Sequence, residues 1–246
     1  MASLKKPFDV AVITTTILRP SLKRAIQSVF DQDYQGRIQI LVGVDRKDGD
    51  PGIIEELRQA CPDNITLTVI DTGYSTARQN GGIYTSFSGG SMRTVLSYAA
   101  NSRLISYLDD DNWFAPTHLS DLLQAIQGNA WAYSLRWLVD KESQKIICED
   151  DFISVGAGKG IFAKVHGGFV DTNCLIMDKL QFHNILPLWC IALVEKGNGA
   201  DQRISQALIK SDQPCGFTGR PSVYYEFLYK KYPIITKFLR QKGVIE

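Results

Sequence analysis

Between residues 8 and 70 the chain switches repeatedly between two hydrophobic periods, and this alternation restricts the fold more than any other feature. Phe8 to Ile13 is a compact apolar run suited to a buried strand, after which Leu22, Ala25, Ile26, Val29 and Phe30 recur at helical spacing. Ile38 to Val44 is a second strand. Asp50 and Pro51 supply a cap and a first-turn proline for a helix over 51–60, and Ile65 to Ile70 makes a third strand. Strands joined by helices of this length pair in parallel, because each crossover returns the chain to the same end of the sheet. The sequence therefore predicts an α/β fold with a Rossmann-like, mostly parallel central sheet flanked by helices. Residues 72–90, rich in Gly, Ser and Thr, read as a mobile loop, and a helix follows from about Ser91 to Ala100.

Residues 104–116, LISYLDDDNWFAP, join an apolar strand to three consecutive aspartates, an aromatic pair and a proline, after which another helix is expected. A strand that carries carboxylates at its C-terminal end puts hard oxygen ligands where open α/β sheets bind their substrates. Clustered carboxylates repel one another unless a cation or protons sit between them. On an extended segment neighbouring side chains alternate, so Asp109 and Asp111 would share a side while Asp110 points elsewhere. Asp109 and Asp111 are thus candidate ligands for Mg²⁺ or Mn²⁺, ions that keep coordination positions free for a diphosphate. The competing reading is a solvated acidic turn before a helix, with Asn112 or Thr117 as cap. A calcium loop of the EF-hand type needs a glycine and a distal glutamate that this stretch lacks.

The pattern then changes. Trp131, Tyr133, Leu135, Trp137 and Val139 alternate with smaller or polar residues as in a half-buried strand, and Lys141 to Gln144 turns it into a hairpin with Lys145 to Cys148. Residues 154–168 hold five glycines and few periodic positions, which predicts a loop that orders on binding. Phe169 to Met177 reads as a strand and Ala200 to Ile209 as a helix. Residues 229–242, YKKYPIITKFLRQK, carry five basic residues and no acidic one, with Ile234, Ile235, Phe238 and Leu239 on one helical face. Such a segment either touches an anionic membrane or packs on the domain as a terminal helix.

With 246 residues and 44% hydrophobic content, the chain can bury a substantial core as one domain. Its net charge of +1 gives no field that would favour nucleic acid. Five widely spaced cysteines without a CxxC pair predict reduced, mostly buried thiols. The opening MASLKKPFDV has no apolar signal region, and no stretch approaches the ~20 apolar residues of a membrane span. The expectation is a soluble cytoplasmic protein, either free or peripheral to the inner face of the membrane through 229–242. The sequence leaves the oligomeric state open.

Several motifs, taken in order, resemble the family 2 glycosyltransferases of GT-A fold. ITTTILRPSLKRAIQSVFDQDY at 13–34 is similar to that family's opening strand and helix, with its threonine, arginine-proline pair and long amphipathic helix. LVGVDRKDGD at 41–50 resembles its second strand, which ends in an aspartate that contacts the nucleotide base or ribose. GGSMRTVL at 89–96 and LDDDNWFAP resemble its glycine-x-x-arginine helix and its DxD strand, with Arg93 sixteen residues before Asp109 and Pro116 seven after it. NGADQRISQAL at 198–208 resembles the segment whose aspartate is the family's usual catalytic base. The likeness is close over 8–116 and looser over 165–210. Where the family often has proline-threonine-tyrosine-asparagine this chain has Thr15, Thr16, Ile17 and Leu18; Arg46 replaces a second acidic residue, and Ala200 replaces the glutamate before Asp201. These departures bear on substrate identity more than on reaction type.

The resemblance implies one GT-A-like domain: a nucleotide-sugar-binding half over about 1–116, an acceptor-binding and catalytic half over about 117–225 with a mixed or antiparallel sheet, and the basic helix at 226–246. It implies a metal-dependent, inverting transferase that uses a nucleotide-diphosphate sugar, most readily a UDP-sugar, and passes the sugar to a hydroxyl of a saccharide or lipid-linked acceptor. Asp111 would be the direct ligand of Mn²⁺ or Mg²⁺, with Asp109 on the metal through water or on the ribose, and Asp110 beside them in the donor site. Asp45, at a strand end, can accept from a base N–H or ribose hydroxyl; its other reading is a turn aspartate opening the Arg46 to Gly49 loop. Arg93, in a first helical turn, can meet phosphate or sugar, or else form a surface ion pair. Thr16 is a nucleotide contact or a strand-end hydroxyl. For the base the candidates are Asp201, whose alternative is an ordinary helix cap, and Asp171 in GFVDTNC. Trp113, Trp189 and Tyr133 can stack on a sugar or sit in the core. His118, His166 and His183 read as surface or core residues, His166 being the one weighed as a metal or phosphate contact. Two other readings stand beside the transferase. A nucleotidyltransferase would favour a glycine- and lysine-rich loop after the first strand, which TTTILRPS does not supply, and a silent binding protein could keep the fold.

Overall fold

The first three strands and their crossovers form as the alternation predicts. In the computed structural model, which describes residues 6–86, 89–193 and 199–245, β1 (Phe8–Thr16), β2 (Ile38–Val44) and β3 (Ile65–Asp71) pair in parallel through α1 (Ser21–Phe30) and α2 (Gly52–Gln59). After α3 (Gly90–Ala99), β4 (Ser102–Tyr107) joins β1 in parallel on its other side. Val10, Ala11, Val12 and Ile13 are all fully buried, so both faces of the sheet are covered, which is why these strands read as unbroken apolar runs. Helix α3 approaches β2 closely at Gly43, where a Cβ would stand 2.9 Å from side-chain atoms of Leu96 and Met92.

The second half extends the same sheet by non-local pairing. After β5 (Trp113–Phe114) and α4 (His118–Ala125) come β6 (Trp131–Asp140) and β7 (Ile146–Glu149), the hairpin expected from the sequence. Next are β8 (Gly156–Ala157), α5 (Ala163–His166), β9 (Gly168–Phe169), β10 (Leu175–Asp178), α6 (Ala200–Ile209), β11 (Cys215–Phe227) and α7 (Pro233–Gln241). The main sheet runs β3-β2-β1-β4-β10-β6-β11-β5, with β7 on β6. Strand β10 is antiparallel to both neighbours, while β11 is parallel to β6 and antiparallel to β5. A mostly parallel sheet with a mixed second half is what the sequence implies.

Four details differ from the sequence reading. Residues 154–168 are not one open loop, because β8 and β9 pair across α5. The run Phe169 to Met177 is broken at Thr172–Cys174 by a 3-10 turn that Asp171 caps, so only Leu175 onward enters the sheet. Strand β11 is hidden in the sequence by Gly216, Gly219 and Pro221, and its register against β6 shifts on either side of Pro221. All five thiols are free, yet only Cys174 is buried and Cys215 is exposed.

Helix α7 uses its apolar face within the domain. Leu239 is fully buried, and Ile235 and Phe238 pack with it against Leu138, Phe152, Ile153, Phe169 and Phe227 in a second, smaller core. The side chain of Ile234, which shares that face in the sequence, lies outside the described residues. On the outer side Lys230 pairs with Glu142 and Lys242 with Asp151 at 2.5 Å. No helix among the described residues is long and apolar enough to cross a membrane.

Candidate active site

Because β1, β2 and β4 are parallel, their C-terminal ends meet at one edge, where a cleft of about 820 Å³ opens. Thr16, Asp45, Arg93, Asp109, Asp110, Asp111, Asp171 and Asp201, the polar and charged candidates for donor, metal and base, all line it. Thr16 closes β1, Asp45 follows β2, the three aspartates follow β4, and Arg93 sits in the first turn of α3.

The aspartates do not alternate as strand residues. The strand ends at Tyr107 and the chain turns, with the Asn112 N–H donating to the Asp109 carbonyl at 3.1 Å. Asp110 points inward and is 1% exposed; it accepts from the Thr16 hydroxyl at 2.6 Å and is clasped by Arg19 through Nε at 3.2 Å and through Nη2. Asp111 accepts from Arg19 Nη1 at 3.1 Å, with Lys141 Nζ 3.6 Å away. Asp109 turns to the other wall, paired with Arg93 and accepting from Asn173 Nδ2 at 3.0 Å. Arg19 thus bridges Asp110 and Asp111 while Arg93 and Asn173 hold Asp109, so the strand alternation expected for this segment does not apply, though Asp109 and Asp111 both open to the same cleft. Burial raises the Asp111 pKa and Asp109 adds to it, while Arg19 opposes both.

The donor set suits a hard cation that keeps most of its positions for other ligands. Asp109 and Asp111 retain side-chain exposures of 31% and 25% into the cleft. Among the described residues no group of three or more His, Cys, Asp or Glu is arranged to hold a metal by itself. A divalent ion here would take one or two carboxylates and complete its shell from a bound diphosphate and water, as Mg²⁺ commonly does.

Asp45 is 5% exposed and accepts from the Ser75 hydroxyl through both oxygens, at 3.1 and 3.0 Å. Burial pushes its pKa up and Ser75 resists. It is not a solvated turn aspartate. Helix α3 starts after Gly89, which has φ 65°, and Arg93 lies over the Trp189 ring at 5.1 Å. At 8% exposure Arg93 belongs to the cleft wall and not to the outer surface.

Asp171 and Asp201 stand on the second-half wall in different states. Asp171 accepts from Arg136 Nη1 at 2.6 Å and, on its other oxygen, from the Asn173 N–H and Nδ2 at 2.9 and 2.7 Å. Burial raises its pKa while Arg136 holds it down. Asp201 is the second residue of α6; the cap is Gly199 with φ 86°, so the helix-cap reading of Asp201 does not apply. Burial and the nearby Asp171 push its carboxyl up to about 6, while the Gln202 backbone N–H works the other way. A carboxylate of this kind is suited to take a proton near neutral pH.

Of the three aromatic candidates only Trp189 lines the cleft; it donates from Nε1 to the Tyr107 hydroxyl at 3.2 Å. Trp113 stacks on Tyr224, and Tyr133 stacks between Trp131 and Phe217. His118 is fully buried against Phe114 and Ser222, and burial drives its pKa down to about 3. His166 meets Gln206, and His183 meets the Leu180 carbonyl.

Sequence reasoning missed four residues. Arg19 was visible only as half of an arginine-proline pair. Asn173 lies two residues beyond Asp171, and no pattern announces its bond to Asp109. Arg136 occupies a strand position where alternation expects a polar or small residue, but it is 2% exposed, held by Asp150 Oδ2 at 2.7 Å and Asp171, and lies 3.9 Å over the Tyr225 ring. Glu226 reaches the cleft on β11 and pairs with Arg24 at 2.6 Å and Lys141 at 3.2 Å.

Residues 10–144 match the family model described as Glycosyl transferase family 2. No curated protein matches the chain in sequence. Among solved structures, S. aureus TarS 1-349 in complex with UDP-GlcNAc superposes with a TM-score of 0.64 at 14% identity, over 89% of this chain and 58% of that one. S. aureus TarS 1-349 in complex with UDP gives 0.62 at 12%, over 94% and 64%. S. aureus TarS itself gives 0.62 at 14%, over 94% of this chain and 39% of TarS. The chain thus spans less than two thirds of each, and at these identities the likeness is one of fold.

Proposed function

From the premise that the chain belongs to glycosyl transferase family 2, which the match over 10–144 establishes, we propose that it transfers a sugar from a nucleotide-diphosphate donor to a hydroxyl acceptor with inversion. The observation that carries this reading is the cleft's division of labour. An aspartate turn at the ends of β1 and β4 lies in the same cleft as one carboxylate, Asp201, with a pKa pushed up to about 6 and, among the described residues, no ion pair to a side-chain cation. A donor half over about 1–116 and an acceptor half over about 117–225 follow from that division.

Asp45 would accept from the base or ribose of the donor, with Thr16 beside it supporting Asp110. UDP is the favoured nucleotide, in keeping with the UDP complexes of TarS. Arg93 and the N-terminus of α3 would draw the anionic end of the donor into the cleft. Asp111, with Asp109 directly or through water, would hold Mn²⁺ or Mg²⁺, and such an ion supplies Lewis-acid stabilisation of the departing diphosphate. Asp201 would take the acceptor hydroxyl's proton as that oxygen attacks the anomeric carbon. Asp171 is the weaker base, since Arg136 and Asn173 already occupy both of its oxygens. A saccharide or lipid-linked acceptor would enter along the second-half wall.

Calorimetric titration with UDP, GDP and dTDP, with and without Mn²⁺, on the wild type and Asp111→Asn tests this directly. Metal-dependent binding of one nucleotide, lost in the variant, is expected. Absence of binding by all three would remove the transferase reading, and binding with no donor turnover under any acceptor would leave a silent sugar-nucleotide binder.

A further inference from the structure

The aspartate turn carries its own cation. Arg19 directs Nε and Nη2 onto the two oxygens of Asp110 and extends Nη1 to Asp111 at 3.1 Å. Asp110 is 1% exposed and also bound by Thr16, so this end of the guanidinium is fixed. Asp111, by contrast, keeps 25% exposure, and the Arg19 side chain itself is 43% exposed and lines the cleft. A planar fork clamped on one carboxylate has its remaining N–H groups aimed at whatever anion lies next to it.

We infer that Arg19 is both the competitor of the divalent ion for Asp111 and a direct contact for the donor's diphosphate, which rests on the transferase reading above. Without a diphosphate, Nη1 satisfies part of the Asp111 charge and disfavours a cation there. When a metal-diphosphate complex enters, Asp111 turns to the metal, and the same Nη1 donates to a phosphate oxygen with the Asp110 clamp unbroken. The exchange trades one charge-assisted hydrogen bond for another, so metal and diphosphate bind together far better than either binds alone. Lys141, 3.6 Å from Asp111 and 3.2 Å from Glu226, adds a second displaceable cation on the same carboxylate.

The test sets two binding measurements against each other. For Arg19→Ala, Mn²⁺ titrated alone and followed by its electron spin resonance should bind roughly tenfold tighter than to the wild type, because a competing cation is gone. UDP titrated in saturating Mn²⁺ should bind roughly tenfold weaker, because a charge-assisted contact is lost. Arg19→Lys, which keeps the charge without the fork, should recover part of the UDP affinity. Loss of both affinities together in Arg19→Ala and Arg19→Lys, or no change in either, would overturn the inference. If wild-type protein binds no nucleotide diphosphate, the transferase reading and the phosphate contact fail together. The Mn²⁺ titration then still decides the competition, and equal Mn²⁺ affinity in both proteins rejects it.

Discussion

Two clusters of charge adjoin the cleft, and they are built in opposite ways. In one, Arg19 and Lys141, 43% and 45% exposed and so in partial contact with water, share Asp110, Asp111 and Glu226. In the other, on the second-half wall, Arg136, Asp150 and Asp171 are 3%, 0% and 7% exposed. Burial alone would strip the Arg136 charge, but Asp171 and Asp150 more than restore it, and its pKa ends above the ordinary value. A cation that water can reach can be exchanged for a ligand at small cost. A cation sealed between two carboxylates cannot, because each ion left behind would be buried and unpaired. The first cluster is therefore available for binding and the second holds the wall in place.

The largest expected effect comes from breaking the sealed cluster. Arg136→Ala should cost about 3–5 kcal/mol of stability, since Asp150 and Asp171 lose their counter-ion. For a chain of this size that is a fall in melting temperature of roughly 6–20 °C. A thermal melt unchanged by the substitution would erase the contrast between the two clusters.

Asp201 sharpens the comparison, because it stands on the sealed wall without sharing in its pairing. Its folded pKa of about 6 lies above the ordinary carboxylate value, so the folded state binds the extra proton and stability falls as pH rises from about 4 through 6. Asp201→Asn should therefore raise stability at pH 8 by on the order of 1–2 kcal/mol, with no gain at pH 3. It should also abolish transfer while leaving UDP affinity intact. Wild-type turnover should drop as pH falls through about 6, and a rate flat between pH 5 and 8 would exclude Asp201 as the base.

The smallest effect belongs to the open cluster. Lys141→Ala should change the unfolding free energy by less than about 0.5 kcal/mol, as half-exposed pairs do. A denaturant midpoint shifted by several times that amount would mean that the open cluster is structural after all.

How far the sequence revealed this site follows the same division. Asp45 was legible because the buried strand before it has a sharp end in the sequence and the residue after it falls at the ligand edge, whereas Thr16, three residues past the apolar run that ends at Ile13, was legible through the family resemblance. The three aspartates were legible as a cluster but not in their geometry: strand alternation does not survive the turn after Tyr107, so the partnership of Asp110 with Asp111 through Arg19 was hidden. On the other wall, Arg136 and Asp150 sit fourteen residues apart and Arg136 and Asp171 thirty-five, with nothing periodic to join them. Strand β11 was missed because Gly219 and Pro221 look like a turn until β6 supplies a partner that tolerates the shifted register.

The two-residue strand β5 begins just after the aspartate turn, and its partner in the sheet is β11, through Val223 and Tyr224. The Asn112 side chain accepts from the Glu226 N–H at 2.9 Å, and the Ala115 N–H donates to the Ser222 carbonyl at 2.9 Å. The turn is thus fastened by residues more than a hundred positions downstream. On the ribosome, the segment carrying the three aspartates emerges and can join its neighbouring strands long before β11 has been synthesised. Its far side stays unanchored until then, so the binding edge is among the last parts of the molecule to acquire its shape.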